Sequence, residues 1–381
     1  MNTIYFDHNS TTALKAEVLE RMLPWMTAQH GNPTSRHVFG RNSRDAVEHA
    51  RTQVAKAVGV QASQVVFTAS GTEANNFAVM GIAGNLEPAQ ILTSSIEHPC
   101  VSRPALAMQA RGWLAKSIAV DSHCTLNMVH LAQLLQQKTN LVSVMLANNE
   151  TGAVQDLAGI SQLARQHKAF VHTDAVQALG KLPVDFVALD VHAMTLSSHK
   201  IGGPLGAGAL VLDKRVDIQP LLYGGGQEKG LRSGTENVAA IVGFGAACEF
   251  AMQALTSFAC HTAMLRTQLE QGLQQLNAQV FGQQATRIPN TSFFSFSNIE
   301  GETLVTALDK VGFAVASGSA CSSDSTEPSH VLLAMGVAPD VARGAVRVSL
   351  GVSNTAQQVE AFLATLAREV KRLSALTAVA A

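Results

Sequence analysis

The chain carries almost no net charge: 27 Lys and Arg stand against 28 Asp and Glu in 381 residues, a formal −1, and neither sign forms a long run. Without a basic face or an acidic tail, nothing steers a nucleic acid, a membrane surface or a polyanionic substrate toward it. Cysteine is scarce, odd in number and scattered, at Cys100, Cys124, Cys248, Cys260 and Cys321. That argues against a disulfide framework and for a reducing compartment, the cytoplasm. The opening MNTIYFDHNSTT has no apolar signal core, and no stretch reaches the ~18 apolar residues a membrane span requires. Internal repeats and low-complexity linkers are missing as well.

What is present describes a well-buried enzyme, with 47% hydrophobic and 14% charged residues. The length predicts two domains, or one large α/β domain with a smaller one. Short Val- and Ile-rich runs at 64–67, 90–93, 141–146, 169–174 and 207–212 read as buried strands. They alternate with helical segments such as 41–58, 100–111 and 156–167, which implies a mostly parallel sheet with helices on both faces. A long helix is expected over roughly 238–278, then a second α/β unit with strands at 291–296 and 345–350. The predicted domains are 13–260, and 1–12 with 261–381.

Ligands of such sheets bind beyond the carboxyl ends of the strands, and the chemically interesting residues follow those ends. ASGTEANN (69–76) puts Gly71 and Thr72 at a strand-to-helix turn whose free N–H groups suit a phosphate. Ser197 and His199 offer further phosphate donors. His98 follows another strand, where it is either structural or free to stack on a cofactor ring and pass protons. Asn149 lies on the same rim. Asp174 ends a buried strand, as a helix cap or as a carboxylate paired with a pyridine nitrogen. Lys200, in TLSSHKIGGP, is a loop lysine or a nucleophilic amine forming a Schiff base with an aldehyde cofactor. Arg347 sits between apolar neighbours in AVRVSL and needs a partner, either an internal acid or a substrate carboxylate.

Cys321 stands apart in ASGSACSSDSTEPSH (316–330), a run of Gly, Ala, Ser, Asp and Thr. A structural cysteine prefers apolar burial, and no second Cys or His lies at metal-ligand spacing around it, so no metal site is expected. The other four cysteines read as structural.

With these motifs assembled in order, the sequence resembles the pyridoxal-phosphate-dependent cysteine desulfurases of the NifS/IscS type, in the class V aminotransferase family. The likeness runs through YFDHNSTT, HGNPTSRH, SGTEANN, EHP, NNETG, HTDAVQALGK, SSHKIGGP, GGGQEKGLRSGTEN, SGSACSSDSTEPSH and VRVSLG. The nitrogen-fixation branch is the nearer one. His8 and Leu205 depart from the usual pattern, at positions where relatives carry Asn and a basic residue.

The resemblance implies a fold-type-I aminotransferase architecture, pyridoxal 5'-phosphate as cofactor, L-cysteine as substrate and a homodimer. Lys200 would hold the cofactor covalently, Asp174 would pair with its ring nitrogen, His98 would stack on the ring, and Gln177 would reach the phenolic oxygen. Gly71, Thr72, Ser197 and His199 would bind the phosphate, with Thr235 entering from the other subunit. Asn149 and Arg347 would hold the substrate carboxylate. Cys321 would take the sulfur as a persulfide and pass it to an iron–sulfur scaffold protein or another acceptor. The competing readings are a selenocysteine lyase or cysteine sulfinate desulfinase on the same scaffold, and a non-catalytic protein that docks a scaffold.

Overall fold

A computed structural model of the chain describes residues 3–318 and 327–380, the side chains of 376–380 excepted. Its centre is a seven-stranded sheet, ordered Val65–Thr68, Gly208–Leu212, Ala193–Ser197, Phe170–Asp174, Thr139–Ser143, Gln90–Ser94, Leu114–Ile118. Gly208–Leu212 runs antiparallel to both neighbours, and all other pairings are parallel. Four of the seven strands are buried along their whole length and two more at all but one residue, as expected for strands covered by helices on both faces. The α/β class and the mostly parallel sheet predicted from sequence are both observed.

Two differences have simple causes. The strand expected at 141–146 begins earlier, at Thr139, and its last residues leave the ladder while still bonding the neighbouring backbone, Val144 N–H to His172 O at 3.0 Å. Leu114–Ile118 was not anticipated at all, because an edge strand carries half-exposed polar residues and lacks the apolar run of a central strand.

The helix Val238–Gln275 ties the two cores together. Its first half (Ala240, Phe244, Ala247, Ala251) packs in the core under the large sheet. Leu265, Leu269 and Leu273 pack instead with Phe294, Phe362 and Leu366. This second core covers a four-stranded antiparallel sheet, ordered Ala316–Ser317, Val346–Ser349, Thr291–Ser295, Gln279–Val280. The amino terminus joins it, Ile4–Tyr5 pairing in parallel with Phe313–Ala314. Contrary to the sequence reading, the long helix is by length and composition apolar enough to cross a membrane; half of its most apolar stretch is buried inside the protein.

One buried ion pair anchors the Gly-rich segment that precedes this helix. Glu228 and Lys229 both take positive φ (48° and 62°), which turns the Glu228 carboxylate inward. It receives Arg51 in a two-pronged contact at 2.7 and 2.8 Å and also the Phe67 N–H at 2.8 Å. Both side chains are nearly inaccessible. Glu228→Ala would leave the buried guanidinium with only the half-exposed Glu48 as a charge partner, a loss of up to about 3–5 kcal/mol. A thermal melt should show a drop of several degrees; an unchanged midpoint would mean that the pair contributes nothing.

Candidate active site

The carboxyl ends of the central strands, the turn before residue 71 and the edge of the small sheet enclose one cavity of about 410 Å³. Ser70 caps the helix Gly71–Asn76 by accepting the Glu73 N–H at 3.1 Å, and Glu73 reaches back to the Ala69 N–H at 2.9 Å. This Ser-x-x-Glu arrangement fixes the turn locally. The same Glu73 binds Arg232 at 2.8 Å, tying the turn to the Gly-rich segment. A side chain on Gly71 would meet Val176 Cγ2 at 3.1 Å and Ser197 Cβ at 3.3 Å. Glycine therefore keeps the helix start open toward Ser197 and His199, a cradle sized for a phosphate.

Asp174 lies at the cavity floor, its Oδ1 accepting the Val176 N–H at 2.9 Å and its Oδ2 the Asn75 amide at 2.6 Å. Burial raises its pKa above the ordinary carboxylate value, opposed by those two hydrogen bonds, His98 and Lys200. A cationic ring nitrogen would relieve that burial. Lys200 Nζ donates to the carbonyls of Asn9 and Ser10 at 2.7 and 2.6 Å. His199 accepts from, or donates to, Thr11 Oγ1 at 3.1 Å, and burial and Lys200 lower its pKa to about 4, so a neutral imidazole faces the phosphate cradle. His98 caps the helix Pro99–Ala107. Burial lowers its pKa too, with Asp174 opposing and Lys200, His330 and Arg103 adding to the shift. Beneath it the Glu97 carboxyl is fully enclosed and pushed up to about 8 by burial, with Ser94 Oγ at 2.5 Å and Met145 N–H at 2.7 Å as donors.

Of the two alternatives left open for Arg347, the internal acid is present. One side of the guanidinium pairs with Asp7 at 2.7 Å and also donates to Ser10 Oγ and the Asn149 carbonyl. Its Nε is buried with no hydrogen-bond partner among the described residues, and the residue lines the cavity. A carboxylate beside it would satisfy that donor.

Gly71, Thr72, His98, Asn149, Asp174, Gln177, Ser197, His199, Lys200 and Arg347 thus all border one space. Thr235 does not; it is exposed in the segment before the long helix. Cys321 lies outside the described residues. The chain leading to it lines the cavity at Ser317 and Gly318, fastened by Ser317 to Glu302 at 2.5 Å and by Gly318 N–H to Ala345 O at 2.9 Å. On the far side, Ser329 binds the buried Glu150 and His330 contacts the Glu97 carbonyl at 3.0 Å. Cys321 follows Gly318 by three residues, a reach of roughly 10 Å.

Sequence reasoning missed four residues. Asn9 links both domains: its carbonyl accepts from Gln177 and Lys200, its Oδ1 from Lys181 at 2.8 Å, and its Nδ2 donates to Thr291 and Asn149. Lys181 is 3% exposed and also donates to Gln177 Oε1 at 2.6 Å, which turns the Gln177 Nε2 away from it. Burial pulls the Lys181 pKa far down. Asn75 and Cys100 complete the wall behind Asp174 and His98. The quoted motifs contain Asn9, Asn75 and Lys181 without marking a role for them, and Cys100 read as structural.

The fold and this cavity define a class, and the chain belongs to the class-V aminotransferase family, which matches residues 4–362. Within that class it is 38% identical to the cysteine desulfurase IscS of Dictyoglomus turgidum, over 98% of this chain and 96% of that protein. A solved NifS-like protein superposes with a TM-score of 0.92 at 37% identity, covering 97% of this chain and 99% of the other. SspA in complex with cysteine superposes with a TM-score of 0.83 at 30% identity, covering 93% of this chain and all of that one.

Proposed function

We propose that the protein is a cysteine desulfurase that converts L-cysteine to L-alanine and places the sulfur on Cys321 as a persulfide. The observation that carries this is the meeting of Lys200, Asp174, His98 and the half-satisfied Arg347 on one cavity, in a chain whose relatives are cysteine desulfurases.

The residues fit pyridoxal 5'-phosphate. The open helix start at Gly71 and Thr72, with Ser197 and His199, would hold its phosphate; Asp174 its ring nitrogen; His98 its face; Gln177 Nε2 its phenolic oxygen; and Lys200 its aldehyde carbon. When bound, it supplies an electron sink for the α-carbon of an amino acid. Arg347 and Asn149 orient the substrate carboxylate. Lys200, beside the substrate α-carbon, would take the α-proton and hold it at Nζ. His98, whose pKa burial lowers, presents a neutral ring to the cavity. Cys321, as thiolate, attacks the substrate sulfur: the carbon–sulfur bond breaks, a sulfur–sulfur bond forms, and the electron pair left on carbon becomes a C–H bond of alanine. Cysteine and an enzyme thiol thus become alanine and an enzyme persulfide, with no outside oxidant.

The finer reading concerns partners. A homodimer is supported by exposed apolar side chains, among them Leu23, Met26, Phe39 and Tyr223, and by Thr235 lying away from its own cavity. The persulfide acceptor is an iron–sulfur scaffold protein, in a cytoplasmic setting and with nitrogenase maturation as the branch suggested by the sequence motifs.

The test is to supply L-cysteine with excess dithiol and measure products. Alanine and sulfide should appear in equal amounts, and cysteine should be preferred to selenocysteine and cysteine sulfinate by kcat/KM. Turnover of either analogue with none of cysteine would overturn the reading.

A further inference from the structure

Cys100 carries no expected role, yet its thiol stands at the point where two working parts of the site meet. His98 Nδ1 lies 2.8 Å from Cys100 Sγ and 3.2 Å from the Cys100 backbone nitrogen. That N–H can point at the ring only if Nδ1 presents a lone pair, so the imidazole proton sits on Nε2. The thiol must then donate to Nδ1 as well. On its other side Sγ receives the Asn75 amide at 3.0 Å, and the second hydrogen of the same amide goes to Asp174 Oδ2 at 2.6 Å. This orientation spends both amide hydrogens and leaves Asn75 Oδ1 buried without a partner. The chain of contacts therefore runs from Asp174 through Asn75 and Cys100 to His98.

We infer that Cys100 is a positioning residue: its thiol hydrogen bond to Nδ1, backed by Asn75, holds His98 over the cavity as the neutral tautomer with its proton on Nε2. This rests on the desulfurase reading only for what His98 then does. Burial, with Asp174 and Glu97 adding to it, pushes the thiol pKa up to about 12, so the donor proton stays in place across the working range. The same burial makes Cys100 a poor nucleophile, which separates its task from that of Cys321.

A proton arriving at Nδ1 would face two donors and displace both. Besides Cys100, the charged and titratable groups facing His98 are Asp174, which favours its protonation, and Lys200, His330 and Arg103, which oppose it. None of these changes when Cys100 is replaced. Removing the thiol donor should therefore raise the protonation midpoint of His98 by roughly half a unit or more, the worth of one hydrogen bond.

The experiment is a pH titration of His98 by nitrogen NMR in 15N-histidine-labelled full-length holoenzyme, the signal being assigned by its loss in His98→Gln. Wild type and Cys100→Ser, which keeps a hydroxyl donor, should show an unprotonated Nδ1 and the same midpoint. Cys100→Ala should titrate higher, and the acid limb of its kcat/KM profile should move by the same amount, with kcat down about tenfold and KM little changed. Should Cys100→Ala not fold, Cys100→Thr against Cys100→Val makes the same comparison of donor with no donor. A midpoint that does not move between donor and non-donor variants overturns the inference. The titration needs no turnover, so a failure to make alanine from cysteine would fall on the desulfurase reading alone.

Discussion

Cys321→Ser is expected to release neither alanine nor sulfide from L-cysteine, while the visible absorbance of the bound cofactor persists. Sulfur–sulfur bond formation needs a thiolate; a free cysteine ionises near pH ~8.5, whereas a serine hydroxyl stays protonated and does not attack a thiol sulfur. The remaining machinery does not depend on residue 321: Lys200, Asp174 and the phosphate cradle are held by contacts among other residues. Loss of product with retained absorbance therefore isolates the acceptor step, and a drop of at least about 10³-fold is expected for removal of a nucleophile. Wild-type rates of alanine and sulfide in the mutant would replace the persulfide route with direct release, the lyase reading.

Lys200→Ala should remove the visible absorbance and all alanine formation together. On the proposed reading the lysine would be both the covalent tether and the group that carries the α-proton, so no partial activity survives from one task when the other is lost. Its hydrogen bonds include those to the carbonyls of Asn9 and Ser10 at the cavity edge, and the buried cores do not include it. The mutant should keep the wild-type far-ultraviolet spectrum and melt within a few degrees of it. Persistent absorbance with the lysine gone would mean that the cofactor is bound elsewhere or otherwise, and the assignment of Lys200 would fail.

The elements that could be read from sequence were those whose signal is local. Apolar runs of four to six residues marked the buried strands, and Gly71 with Thr72 marked a strand-to-helix turn. The strand Leu114–Ile118 escaped because one side faces water, and the membrane-like apolarity of Val238–Gln275 escaped because small residues replace a continuous large-side-chain run. The site followed the same division. His98, Asp174, Lys200 and Arg347 each carry chemistry that their motif advertises. Lys181 and Cys100 do not: a lysine after a glycine and a cysteine after a proline look like any others, and only burial gives them their properties.

Local chemistry along the chain decided that this would be a mostly parallel α/β protein with Gly71, His98, Asp174 and Lys200 at successive strand ends. Tertiary structure decided which of those groups share partners. Asp7 joins Arg347 across 340 positions, Asn9 joins Lys181 across 172, and Asn75 joins Asp174 across 99. Such pairings form only when the chain has folded around the cavity, and the withdrawal of water that follows is what lowers Lys181 and His199, raises Asp174 and Cys100, and makes a set of ordinary side chains into one site.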